Sequence, residues 1–144
     1  MAEIAPITLD GTGDIDRLIR DFMAVGNIPD DVQKEMVTRK AKVMEEGIRG
    51  MAHTMLQGPY NKGEVAYSTK AGKARKTKSG AQVLIRFEGE QHGNKLSEIA
   101  YINEYGKKKQ PARPFIRKAI ERWGDAASAE AYKVMRDWMA KNDL

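Results

Sequence analysis

The chain has 144 residues, of which 41% are hydrophobic and 31% charged, so it is long enough to fold as one globular domain. It has no cysteine, which excludes disulfides, thiolate catalysis and cysteine-bound zinc, and no apolar run of the roughly 20 residues that a membrane helix needs. The net charge of +5 is unevenly spread, because residues 1–31 carry seven acidic and two basic side chains, whereas residues 62–122 carry fifteen basic and six acidic ones. This polarity favours a positive surface that meets an acidic partner, either DNA or another protein. The acidic N-terminus is not typical of a secretory signal.

Two helices are predicted in the N-terminal part. The first is indicated by apolar residues at helical spacing, with Asp14 as a candidate cap and Gly26 as a natural stop. The second begins at Pro29-Asp30-Asp31, where proline suits the first turn and the aspartates face the positive end of the helix dipole. It should extend to about Leu56, before Gly58-Pro59. The apolar residues of the first helix are Ile15, Leu18, Ile19, Phe22 and Met23.

The second helix contains two glycines that its apolar pattern does not explain, and a histidine beside Met51 and Met55. Gly47 and Gly50 each weaken a helix by about 1 kcal/mol, so we expect them to mark a close approach by another segment. His53 lies within the apolar pattern and is predicted to be partly packed. The apolar positions, mostly three or four residues apart, are Val32, Met36, Ala41, Met44, Ile48, Met51 and Met55.

The middle of the chain changes its period from helix to strand. Alternation of apolar and polar residues from Ala81 to Glu88 predicts a strand with one buried face, carrying Val83, Ile85 and Phe87. A shorter strand is predicted over Glu64–Thr69. Lys70–Ser79, rich in lysine, glycine and serine, is predicted to be an exposed hairpin loop that is mobile without a partner.

The C-terminal segment, residues 114–142, is predicted to be helical from Pro114, with a possible break at Gly124. Together with an N-terminal arm at residues 1–13, the order of helices, strands and helix favours a single α+β domain. Long helices should pack on a small, mainly antiparallel β-sheet. We expect the second helix to face the strand through Met36, Met44, Ile48 and Met51. The C-terminal apolar stripe comprises Ile116, Ile120, Trp123, Ala127, Ala131, Val134 and Trp138.

Catalytic motifs are lacking in the sequence, and we therefore predict a protein that is not an enzyme and has no cofactor or metal. The one candidate metal site combines His92 with Glu88 and Glu90. Because two glycines lie in that stretch and it follows a strand, a polar turn is the favoured interpretation.

Two clusters of basic residues are the remaining chemical signal. Either cluster could neutralise phosphates in a salt-dependent, sequence-independent contact with DNA, or could face an acidic protein. The first cluster consists of Lys70, Lys73, Arg75, Lys76 and Lys78. The second consists of Lys107, Lys108, Lys109, Arg113, Arg117 and Lys118.

Two stretches carry a resemblance to a known family. Asn103-Glu104-Tyr105-Gly106 is followed, after a loop, by Arg113-Pro114-Phe115-Ile116-Arg117-Lys118-Ala119. The pair resembles the C-terminal signature of the head–tail joining and minor tail proteins of tailed bacteriophages. An (A)xx(N/V)E(F/Y)G segment there precedes a (R)PF(L/I)RxA helix start, and a PxxxGxLxxS pattern follows the long helix. The matching residues are Pro59, Gly63, Val65, Ser68, Ala100, Glu104, Tyr105, Gly106, Pro114, Phe115, Arg117 and Ala119.

The signature also has a physical interpretation of its own. Gly106 suits a turn, Pro114 suits a helix start, and Phe115 is expected to anchor that helix to the sheet. Glu104 should either cap a helix or pair with an arginine such as Arg113 or Arg117. We therefore interpret the signature as a folding pattern, not a reaction centre.

The resemblance implies a structural virion protein of the neck or tail, assembled in the host cytoplasm as a ring of six between tail tube and head connector. Its partners would be copies of itself and neighbouring connector and tail proteins, with DNA as a further candidate and no membrane. The alternative from another class is a cytoplasmic nucleic-acid-binding module. A small nuclease using His92, Glu88 and Glu90 is the weaker form of that alternative.

Overall fold

The computed structural model describes residues 7–9, 28–58, 63–78 and 80–142. Two long helices, α1 and α4, lie against each other, and α1 also covers a small antiparallel sheet, so the predicted α+β architecture is confirmed. The first predicted helix, Pro59 and Ser79 lie outside the described residues. The elements are β1 (Ile7–Leu9), α1 (Asp30–Met55), α2 (Glu64–Ser68), β2 (Thr69–Ala71), β3 (Arg75–Thr77), β4 (Gly80–Phe87), β5 (Glu90–Gln91), β6 (Asn94–Lys95), α3 (Leu96–Tyr105) and α4 (Phe115–Lys141).

Helix α1 has the bounds that the sequence predicted, with Pro29 before it and two aspartates in its first turn. Met44 and Ile48 are buried in the main core with Val83 and Ile85 of β4, as expected. Met36 was also expected there and is instead buried in a second cluster, at the other end of the helix pair. That cluster joins Met36 to Ile28, Ala131, Val134 and Met135.

Strand β4 is the centre of the sheet. Its residue Ile85 lies opposite Ile7 of β1 on one side and Ala71 of β2 on the other, so the two strands occupy opposite edges. The predicted N-terminal arm therefore contributes a strand at Ile7–Leu9. The alternation predicted along β4 is confirmed, with Val83, Ile85 and Phe87 buried.

The strand predicted over Glu64–Thr69 is wrong, because this stretch forms helix α2. Gly63, with φ +98°, turns the chain into the helix, and the Ser68 hydroxyl donates to the carbonyl oxygen of Val65 at 2.7 Å. A helix of five residues is too short for its period to be distinguished from that of a strand. Only Thr69, the last residue of the predicted strand, belongs to β2.

The prediction of a hairpin loop over Lys70–Ser79 is wrong in part, since residues 70–71 belong to β2 and residues 75–77 form β3. Both strands pair antiparallel with β4, but the register changes between them. Ala71 lies opposite Ile85 and Arg75 lies opposite Gln82, so three residues face two and form a β-bulge at 72–74. Strands β2 and β3 were not predicted because most of their side chains face solvent, so the stretch lacks the alternation of apolar and polar residues that indicates a strand.

Helix α4 begins directly after Pro114 and passes through Gly124 without a break. Two members of its predicted apolar stripe are exposed, Ile120 by 47% and Trp123 by 38%. The buried face of α4 instead includes the small residues Ala119 and Ser128. They were not predicted because the apolar stripe was assigned mainly from large side chains. Helix α3 was not predicted, although its buried Leu96 and Ala100 have helical spacing.

Candidate interaction surfaces

The two halves of the signature are joined through Glu104, at the end of α3. Its carboxylate accepts hydrogen bonds from the backbone amides of Ile116, at 2.8 Å, and Arg117, at 3.1 Å. These are first-turn amides of α4, which have no partner within their own helix, and a carboxylate there also faces the positive end of the dipole. The predicted capping role is confirmed. The alternative arginine pair is not seen, since the Arg117 guanidinium lies 3.9 Å from Glu121.

The loop between α3 and α4 is held from both sides. The carbonyl oxygen of Asn103 accepts a hydrogen bond from the amide of Arg113 at 2.5 Å, while the Asn103 side-chain amide donates to Ile99 at 2.9 Å. Gly106 has φ +76°, and a Cβ there would lie 2.8 Å from the Ala112 nitrogen, so the turn requires glycine. We call this unit the signature clamp, and it consists of Asn103, Glu104, Gly106 and the backbone of Arg113, Ile116 and Arg117.

Most other matched residues lie inside the fold. Phe115 is fully buried and meets Phe87 of β4 edge-on, with 5.8 Å between ring centroids, so it is the predicted anchor of α4. Ala100 and Ala119 are also fully buried, and Val65 and Ser68 are buried in α2. Tyr105 is the clear exception, with 64% of its surface exposed beside the clamp.

The second basic cluster is centred on a tight turn that the clamp supports. Lys107 and Gln110 exchange backbone hydrogen bonds of 2.9 and 3.0 Å, which places Lys108 and Lys109 at the tip. All three lysines and Arg113 are exposed. Arg117 and Lys118, further along on α4, instead lie 3.9 and 3.8 Å from Glu121. The structure thus divides the predicted cluster into a helix start with an acidic partner and a turn whose lysines have none among the described residues.

The first basic cluster is divided between the two faces of the sheet. Lys70 lies opposite Arg86, and Arg75 opposite Gln82, on the face away from the core. Lys76 lies opposite the buried Ala81 and forms an ion pair with Asp30 at the start of α1. Arg86 also belongs to this surface and was not predicted. Its alternation with Phe87 was the available signal, because the neighbour of a buried strand residue points outward.

Backbone groups on the outer side of β2 are already occupied. Arg49 of α1 donates to the carbonyl oxygen of Thr69 at 2.7 Å, and the amide of Ala71 donates to Glu45 at 2.5 Å. The two side chains also lie 3.5 Å from each other, one turn apart on the helix. This edge is therefore closed to another strand.

Helix α4 lies close against α1 at Gly47. A Cβ at this position would lie 2.6 Å from Cδ1 of Trp123, which confirms the predicted close approach, whereas Gly50 has nothing within 4 Å and the prediction for it is wrong. The guanidinium of Arg122 lies 5.3 Å from the centre of the Trp123 ring. Together with Ile120, these side chains give α4 an exposed apolar and cationic patch.

The candidate metal residues occupy a polar turn, as expected. His92 has φ +52° and is exposed between β5 and β6, next to Gly93 with φ +80°. Across residues 28–58, 63–78 and 80–142 no three histidine or acidic side chains are grouped as metal ligands. His53 is exposed rather than partly packed, because it lies on the outer side of α1. Among the described helices, none is long and apolar enough to span a bilayer.

Comparison with known proteins adds no further assignment, since no family model, no curated protein and no solved structure matches the chain.

Proposed function

We propose that this chain is a structural protein of a tailed-bacteriophage particle, which joins or completes the tail at the head–tail interface. The observation that carries the proposal is the signature clamp. Glu104, in the first half of the resembling pattern, binds backbone amides of the second half, 12 and 13 residues further along. This contact depends on both halves and on the spacing between them. Two short motifs that matched by chance would have no reason to form one hydrogen-bonded unit.

Such a protein would act by contact, and the clamp presents a contact surface. The Lys107–Gln110 turn is fixed at its base by backbone hydrogen bonds and carries exposed lysines next to the exposed Tyr105. A preorganised turn binds with little loss of conformational entropy, and tyrosine is enriched among residues that dominate protein interfaces. We therefore assign the turn and Tyr105 to a contact with a neighbouring subunit or ring.

The assembly that fits this role is a ring of six copies between the tail tube and the head connector. A ring needs a heterologous interface, in which one patch of each copy meets a different patch of the next. The acidic balance of residues 1–31 and the basic balance of residues 62–122 supply the opposite charges that favour such an arrangement.

Deleting the gene from a phage or prophage that carries it tests the joining role. We expect filled heads and finished tails that fail to unite, or tails that end abnormally, when lysates are viewed by electron microscopy. Portal, connector and major tail protein genes beside it would support the proposal. Normal virions from the deletion would contradict it.

Charge reversal tests the turn itself. Lys107→Glu, Lys108→Glu and Lys109→Glu, combined in one chain, should lower the yield of joined particles, and high ionic strength should deepen the loss because residual attraction is screened over about 8–10 Å. The matched control reverses three exposed lysines on the long helices, Lys34, Lys42 and Lys133. Circular dichroism must show that both variants fold. Normal joining by the turn variant would exclude the turn as an interface. It would not contradict the joining role, which the deletion tests.

A further inference from the structure

We propose that the outer face of the sheet binds the phosphate backbone of double-stranded nucleic acid without reading its sequence. Lys70 of β2, Arg75 of β3 and Arg86 of β4 form this face, and all three side chains are exposed. Among the described residues none of them has an acidic partner. The inference concerns one surface and one class of ligand, and it does not rest on the joining role.

The register places two of the cations directly against each other. Lys70 and Arg86 are cross-strand partners, so their side chains leave the same face about 5 Å apart, where like charges repel. An anion between them would accept hydrogen bonds from both and turn the repulsion into attraction. A guanidinium also offers two parallel N–H donors, which suit the oxygens of a phosphate.

Arg75 extends the face beyond this pair. It lies opposite Gln82, four residues along β4 from Arg86, which is about 13 Å at the rise of a strand. That distance equals about four base-pair steps of 3.4 Å along the axis of a duplex. The two ends of the face can therefore contact different phosphates of one duplex.

The rest of the face favours nucleic acid over an acidic protein. On β4, the residues of this face beside Arg86 are the half-buried Gln82 and Leu84. A protein interface has an apolar centre depleted of charge, whereas an interface with nucleic acid is polar and strongly positive. The large exposed apolar side chains of the described residues lie on helices instead, and they are Tyr67, Tyr105, Ile120 and Trp123.

The residues of this face also favour double-stranded over single-stranded nucleic acid. Binding of single strands relies on aromatic side chains on which bases stack, and β2, β3 and β4 have none on this face. The face is also carried by paired strands, and its cations stand at fixed spacing. Duplex phosphates, which repeat regularly, fit it better than a flexible strand.

Fluorescence anisotropy with a labelled duplex of mixed sequence, about 30 base pairs long, tests the proposal on the full chain between about 50 and 300 mM salt. The face variant combines Lys70→Gln, Arg75→Gln and Arg86→Gln. The control combines Arg39→Gln, Lys76→Gln and Lys133→Gln, which removes the same charge from cations that already have ion-pair partners. Circular dichroism must show that both are folded.

We expect the face variant to bind the duplex at least about tenfold more weakly, and its salt slope to fall by about 2 to 3, since each phosphate contact contributes about 0.9. The control should keep its affinity within about threefold. Equal losses of affinity in both variants would mean that net charge alone causes the effect, and this result would overturn the assignment. Undetectable binding of the wild-type chain at the lowest salt would overturn it too. Tighter binding of poly-glutamate than of duplex through the same three residues would assign the face to an acidic protein instead.

Discussion

The signature clamp and the outer sheet face both concentrate polar residues, but they satisfy them in opposite ways. In the clamp, Glu104 and Asn103 direct their hydrogen bonds to the chain itself. On the sheet face, Lys70 stands opposite Arg86 and neither has an acidic partner among the described residues. A polar group with an internal partner stabilises the fold, whereas an exposed charge without one is available to bind something outside it.

Replacing Phe115, the apolar anchor of α4 beside the clamp, should have the largest effect on stability. Phe115→Ala removes a fully buried ring that packs against Phe87, so it should lower the free energy of unfolding by about 3–5 kcal/mol. Leu84→Ala on the outer sheet face is the comparison and should cost clearly less, because that side chain is only half-buried. Chemical denaturation of both variants measures the difference. Similar losses would mean that the outer face contributes to the core.

Removing the capping carboxylate should have the next largest effect. Glu104→Ala leaves the buried amide of Ile116 and its neighbour without an acceptor, which should cost about 2–3 kcal/mol. Glu104→Gln keeps one acceptor and should cost about half as much, since it loses the charge that faces the helix dipole. Thermal unfolding distinguishes the two. If Glu104→Ala were neutral, the clamp would not stabilise the fold.

The contact between Gly47 and Trp123 gives a smaller effect whose sign depends on background. Gly47→Ala should destabilise the wild-type chain by about 1 kcal/mol, because its Cβ would overlap the indole, but should stabilise a Trp123→Ala chain by about as much through helix propensity. Gly50→Ala, with open space around it, should stabilise both backgrounds. A double-mutant cycle with urea measures this coupling. Equal effects of Gly47→Ala in both backgrounds would rule the contact out.

Trp123→Ala alone should cost about 2 kcal/mol, less than the 3–5 kcal/mol typical of a buried tryptophan, because 38% of its surface is exposed. Denaturation of this variant beside Phe115→Ala compares a partly exposed and a fully buried aromatic residue of α4 directly. A loss as large as that of Phe115→Ala would show that the indole is a core side chain.

The outer sheet face should show the smallest effect, and one of opposite sign. Arg86→Gln relieves the repulsion of Lys70, so it should raise the free energy of unfolding by a few tenths of a kcal/mol at low salt. The gain should vanish at high salt, where the repulsion is screened. Melting temperatures at two ionic strengths provide the measurement. A destabilised variant at low salt would mean that Arg86 has an internal role.

Long-range periodicity predicted the parts of the fold that are regular over many residues. The 26 residues of α1 and the eight of β4 repeat their pattern often enough to identify both elements. Helix α2 has five residues, and β2 and β3 have three each, so a period cannot be established within them. Their structure depends on Gly63 and on pairing with β4, which local sequence does not show.

The sequence predicted which basic residues cluster on the surface, but not which face of the sheet each side chain occupies. Both basic clusters are evident in the sequence, but Arg75 and Lys76 point to opposite faces of the sheet because they are neighbours in a strand. Their directions depend on the bulge at 72–74, which changes the register by one residue. Glu104 was predictable as a cap because the signature placed it before a helix start, whereas the backbone partner of Asn103 was not.

The closed edge of β2 has a consequence for assembly. In the proposed particle, many copies at one place would hold their sheet edges at high local concentration, where unpaired strand groups favour open-ended polymers. Here Glu45 and Arg49 occupy the outward groups of Thr69 and Ala71 from within the same chain. Growth by strand addition is thus blocked at β2 before any copy meets another, so a stack of subunits joined through this edge is excluded and each contact there must be made by side chains.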